Sequence, residues 1–132
     1  MLALAVAVGI AIGTIGTQVL NAQQEPLKRT VLLRQDLVGM EGKEALVVLV
    51  EAAPGAVAGK HYHPGHELAY ILEGSASIEM QGKAPMALKA GDSTYIPPKL
   101  VHDAKNTSST APLKVLAFVI TEKGQPLTVE VK

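Results

Sequence analysis

His61-Tyr62-His63-Pro64-Gly65-His66-Glu67 carries three of the chain's four histidines and a carboxylate in one short run, and the fourth histidine, His102, stands far downstream. Neutral imidazole and carboxylate together make the composition of a metal site suited to zinc, iron, nickel, manganese or copper. Alternate residues of a strand share a face, so His61 and His63 can aim at one point. Pro64-Gly65 turns the chain, and Glu67 keeps the same alternation on the strand that follows.

Working outward, the chain reads as strands separated by turns. Gly59, Pro64-Gly65, Gly74, Gly82, Gly91-Asp92, Pro97-Pro98 and Gly124 break it into short segments, the cadence of an all-β sandwich or barrel. Residues 29–33, 44–51, 68–72, 75–80, 85–88, 93–96, 101–104 and 113–121 supply the predicted strands, and residues 106–110 form a polar loop. Leu46-Val47-Val48-Leu49-Val50 is an unbroken apolar run stopped by Pro54-Gly55, which predicts a strand covered on both faces. One face would meet the core and the other a second subunit. No helical period survives this punctuation.

Composition excludes several function classes. Of 132 residues, 48% are hydrophobic, enough for one domain with a real core, and with one Phe, three Tyr and no Trp that core must be aliphatic. Twelve basic residues balance twelve acidic ones without a long block of either sign, so no polyanion-binding surface is expected and nucleic acid is excluded as a partner. The absence of cysteine removes disulfides, thiolate ligands and a thiol nucleophile together.

Met1 to Leu20 are uncharged and rich in Ala, Val, Ile, Leu and Gly, and polar residues around Ala22 follow. This reads as an N-terminal signal segment over residues 1–22, with a single domain over residues 23–132. An uncleaved membrane anchor is the alternative, because the apolar run is nearly long enough to span a bilayer. Export to the periplasm or beyond the cell is therefore the expected localisation, with membrane attachment only if the segment is retained.

The residues also resemble the cupin superfamily. Gly55, His61-Tyr62-His63, Glu67 and Gly74 fit its first conserved motif in spacing, and Gly91, Pro97, His102 and Asn106 fit its second. One position departs: cupins usually carry glycine where this chain has Lys99. If the turn there needs positive φ, a lysine costs on the order of 1 kcal/mol. The resemblance implies a jelly-roll β-barrel with His61, His63, Glu67 and His102 as metal ligands. It also implies a cofactor of one divalent transition metal per chain (Fe, Mn, Ni, Cu or Zn) and the dimeric habit of the family.

Three imidazoles and one carboxylate leave a metal with net positive charge and, if octahedral, open positions for small molecules. The expected activity is that of a metalloenzyme of oxidoreductase or dioxygenase type acting on a small organic molecule. A non-redox isomerase or lyase and a binding module without turnover are the alternatives. His66 has the wrong parity for the ligand face and is expected at a cavity rim or on the surface, with proton transfer as its alternative role. Tyr62 by parity packs away from the metal, and Asn106 stabilises a loop. Asp92 and Tyr95 are polar groups of open orientation near the second motif. Ala69 and Ile71 are expected to line an apolar pocket, and no arginine is expected near the motifs to clamp a carboxylate or phosphate.

Overall fold

The punctuated sequence folds into ten strands and no helix among the described residues, 25–132, of a computed structural model. The strands are β1 (Leu27–Asp36), β2 (Lys43–Ala52), β3 (His61–Tyr62), β4 (His66–Glu73), β5 (Ser75–Met80), β6 (Met86–Lys89), β7 (Ser93–Ile96), β8 (His102–Asn106), β9 (Leu113–Glu122) and β10 (Val129–Glu130). They form two five-stranded sheets, β1-β2-β9-β4-β7 and β10-β3-β8-β5-β6, with every pairing antiparallel. This is the expected all-β jelly roll. The proposed signal or anchor at residues 1–22 lies outside the described residues.

β10 escaped the sequence reading, and the strand expected to carry both His61 and His63 stops at Tyr62. β3 holds only His61 and Tyr62, and β10 only Val129 and Glu130, and the two pair with each other at one edge of the second sheet. Neither carries enough alternation to signal a strand; each is held by its neighbours.

β2 has one face in the core and leaves the other half-buried. Leu46, Val48 and Ala52 are buried whereas Ala45, Val47 and Leu49 are half-buried, so the strand alternates. The unbroken hydrophobic run hid this, because valine and leucine occupy both faces. On the outer face Val47 stands beside Phe118, Phe118 beside Leu68, and Leu68 beside Tyr95, an apolar row across four strands. Phe118, Leu68, Tyr70 and Tyr95 are all exposed.

The interior is aliphatic, as the scarcity of aromatics demands. One cluster contains Ile71, Ile78, Met80, Leu88, Ile96 and Leu113, and a second contains Leu46, Val48, Ala117 and Val119. Asn106 ties the second motif to the rest: its Nδ2 donates to the carbonyls of Ala52, Ala53 and Ala111, and its Oδ1 accepts from Ser108 N. Fully buried, it satisfies four backbone groups that the turns leave free, which bears out its loop-stabilising role.

Lys99 has φ 62°, so this chain keeps the left-handed turn with a side chain in place. The strain, about 1 kcal/mol, is held by context: Lys99 N donates to His63 O at 2.8 Å, docking the second motif on the first. The turn geometry is therefore retained despite the missing glycine.

Candidate metal centre

The two sheets bring the motif residues together from opposite sides. His61 on β3 and His102 on β8 belong to one sheet and stand directly opposite each other in register. Glu67 on β4 belongs to the other sheet, and His63 lies in the turn that crosses between them. Gly65 permits that crossing, since a Cβ there would lie 2.2 Å from Ile120 O and 2.6 Å from Thr121 Cβ on β9. No larger residue fits without moving one strand.

The three imidazoles form a compact group. His61, His63 and His102 are only 4%, 6% and 3% exposed, and one nitrogen from each lies within 4.8 Å of the others. Each ring is turned by a backbone carbonyl: His61 Nδ1 is 2.6 Å from Gly59 O, His63 Nδ1 2.7 Å from Leu127 O, and His102 Nδ1 2.8 Å from Leu100 O. A carbonyl can only accept, so each Nδ1 carries a proton and each neutral ring keeps its lone pair on Nε2. This is the arrangement that orients metal-binding histidines.

Glu67 stands beside the three rings and offers a carboxylate oxygen. Its Oε2 lies 2.5 Å from His63 Nε2, yet it is buried and has no hydrogen-bond partner. A buried carboxylate oxygen without a donor is costly, and two lone-pair atoms at this separation repel unless a cation or proton lies with them. An ion shared with the three Nε2 atoms removes both penalties. The donor set thus fits a divalent transition metal on its own chemistry.

Electrostatics agree with a site kept ready for a cation. Burial lowers the His61 pKa to about 4, with His102 and His63 contributing in the same direction, and burial also lowers that of His102. For His63 burial again presses downward, but the Glu67 carboxylate outweighs it and leaves the pKa above the ordinary imidazole value. Burial works to raise the Glu67 pKa, and His63 reverses this, so the carboxyl is held below its usual range. Two rings therefore stay neutral near pH 7, and the third is readily traded between proton and metal.

The remaining expectations separate cleanly. His66 is exposed on the outer face, stacked on Tyr95 with ring centroids 6.0 Å apart and His66 Nδ1 2.7 Å from the phenol oxygen. Both residues therefore point away from the cluster, and a proton-transfer role for His66 has no geometric support. Asp92 caps a turn by accepting from Lys89 N at 2.9 Å. Ala69 is buried and Ile71 sits inside a core cluster, so Ile71 is packing and not a pocket wall.

One residue near the site was missed. Arg29 on β1 lies opposite Val50 of β2, on the row whose neighbours Leu27 and Val50 pack inward. Its charge lowers the pKa values of His61 and His63, while Glu67 and Glu130 act on it in return. The expectation that no arginine stands near the motifs is thus corrected. Arg29 is remote in sequence but close in space. The signal was strand alternation from Leu27, which has meaning only once β1 is paired with β2.

A family model described as cupin domain matches residues 48–120. Among solved structures, the chain is similar to a conserved protein with a double-stranded β-helix domain from Klebsiella pneumoniae, at 24% identity and TM-score 0.62 over 80% of this chain and 84% of that one. It is similar to a DMSP lyase from Ruegeria pomeroyi at 24% identity and TM-score 0.58, covering 66% of this chain and 43% of that one. It is also similar to an oxalate oxidase at 22% identity and TM-score 0.58, covering 66% and 46%. The chain thus spans less than half the length of these two enzymes. No match was found among curated proteins.

Proposed function

The chain belongs to the cupin family, and from that premise we propose that His61, His63, Glu67 and His102 hold one divalent transition metal at which a small organic molecule is transformed. The observation that carries this reading is the buried Glu67 Oε2 2.5 Å from His63 Nε2, beside three imidazoles whose Nδ1 atoms are all committed to carbonyls. A bound transition metal would supply Lewis acidity and, where redox-active, electron exchange. The protein's own contribution is to hold three lone pairs and a carboxylate at fixed positions between rigid sheets, shielded from bulk water.

Oxidoreductase chemistry of dioxygenase type is the favoured activity. The oxalate oxidase among the similar structures supports it as a fold-level analogy, and the DMSP lyase supports the non-redox alternative in the same way. Oxygen uptake by the metal-loaded chain, tried across enediols, flavonols and diketones, tests the choice. Uptake with any of them is expected, and none with every metal would transfer the assignment to lyase, isomerase or binder.

The outer apolar row of half-buried Val47 and exposed Phe118, Leu68 and Tyr95 supports a homodimer joined through the outer face of the first sheet. Light scattering should give twice the chain mass, and Phe118→Asp should give the monomer. A wild-type monomer would refute the interface. Export rests on residues 1–22 as a signal segment; N-terminal sequencing of the mature protein should begin near residue 23, and a start near Met1 would leave the anchor reading.

A further inference from the structure

His61, His63 and His102 are buried, so neither an ion nor a small molecule reaches them unless part of their cover moves. Residues 125–131 belong to that cover. After the turn at Gly124, which has φ 83°, the chain leaves β9 and runs without regular structure as far as β10. Leu127 packs its side chain against the cluster of Leu46, Val48, Ala117 and Val119, while its carbonyl accepts from His63 Nδ1 at 2.7 Å. Thr128 follows, with Oγ1 3.4 Å from the same nitrogen. Glu130 then stands opposite His61 in register, so the segment passes from one candidate ligand to the next.

This segment is attached far more weakly than the sheets around it. β10 is an edge strand of two residues, and its strand partner among the described residues, β3, is equally short. One further bond, from Val131 N to Lys60 O at 3.0 Å, completes the seam. Residues 125–128 belong to no strand. By contrast, β2 pairs with β9 along its whole length and with β1 on its other side, and β4 lies between β9 and β7. Local opening follows the extent of pairing and of buried apolar contact, so a short edge strand opens well before a central one. Parting this seam disturbs the least structure and uncovers the side of the site that holds His61 and His63.

We propose that residues 125–131 are the gate of the metal centre, parting from β3 to admit an ion or a small molecule and closing once the ion is held. This rests on the metal-centre reading above and adds the route of entry to it. Gate and ion are linked through one ring. While Leu127 is in place, its carbonyl keeps the proton on His63 Nδ1 and the lone pair on Nε2; once Leu127 withdraws, the ring can turn and lose that tautomer. A bound ion holds His63 in the orientation the closed segment accepts. By reciprocity, the closed segment strengthens the hold on the ion.

The chain has no cysteine, so a lock can be installed without side reactions. Tyr62 and Val129 stand directly opposite each other, at the separation a disulfide bridges. The double variant Tyr62→Cys with Val129→Cys would be loaded with cobalt, and release of the ion to EDTA followed through its visible bands, first oxidised and then reduced with a phosphine. The oxidised form should release the ion at least about tenfold more slowly than the reduced form. Leu127→Ala, which keeps the carbonyl but loses the anchor, should release it about tenfold faster than wild type. Amide exchange on the metal-free wild type reads the gate without any ion: the Val131 amide should exchange at least about tenfold faster than those of β2 and β9, and loading should then slow it. Equal release from the oxidised and reduced forms, or a Val131 amide as protected as those of β2, would overturn the gate and leave the metal centre standing. A chain that cannot be loaded at all would overturn both.

Discussion

His63 and His66 stand three residues apart, and each has its Nδ1 2.7 Å from an oxygen, yet they share no chemistry. His63 is buried between the sheets, and its partner is the Leu127 carbonyl, which fixes the proton on Nδ1 and frees Nε2. His66 is exposed on the outer face, and its partner is the Tyr95 hydroxyl, which can donate or accept and fixes nothing. What sets a histidine up as a candidate ligand here is the carbonyl that turns it and the face it occupies. Membership of the motif run is not enough.

The sharpest way to break that contrast is to remove each ring. His63→Ala or His102→Ala should lower metal affinity by at least about a hundredfold, beyond the loss typical of an outer hydrogen-bond partner. His66→Ala should change it by less than about twofold. Metal titration with a competing chelator measures all three, and comparable losses would dissolve the distinction between the faces.

Gly65 lies between the two histidines and lets the crossing turn approach β9. Gly65→Ala should cost about 1–3 kcal/mol in a denaturant melt, because the strand or the turn must shift to admit one methyl. It should also weaken metal binding, since the turn carries His63. A variant as stable as wild type would show that the approach is not a constraint.

Acid should then act on the buried rings. In the metal-free folded chain His61 takes a proton only near pH 4, whereas the unfolded chain takes it near 6.5. The unfolded state therefore binds more protons across that window, and the stability His61 contributes is present above 6.5 and lost as pH falls towards 4. His102, shifted the same way, adds to the slope; His63, shifted upward, opposes it with a contribution that fades as pH rises through its folded value. The denaturation midpoint should fall with acid through this range, and His61→Gln should flatten the curve.

The smallest effect belongs to the outer pair. Tyr95→Phe removes the phenol that His66 contacts, and at an exposed position this should cost no more than about 0.5–1 kcal/mol. A larger loss in thermal melts would mean that the outer face is covered in solution, which would favour the dimer.

Much of this site was legible in the sequence because its information is local. Alternation set Glu67 inward and expelled His66 to the outer face, whereas His63, expected on the strand of His61, reaches the cluster from the turn beyond it. Strand existence was equally local, and β5 and β7 keep the bounds that turn residues predicted. What was hidden depends on partners remote in sequence. β10 is two residues held by β3, and the inward aim of Arg29 follows from pairing with Val50. Likewise the half-buried face of β2 follows from what the opposite sheet leaves uncovered, which an unbroken valine-rich run cannot disclose. Resemblance suggested a glycine at position 99; the backbone there kept the glycine conformation while the side chain did not.

The central claim is that the rings between the sheets, and not the ring outside them, hold a metal. Elemental analysis of the purified chain after reconstitution with iron, manganese, nickel, copper or zinc tests it most directly. About one ion per chain is expected in wild type and His66→Ala, with strong loss in His61→Ala and His102→Ala. A wild-type chain that stays metal-free with all five, or one whose metal survives both substitutions, would contradict it.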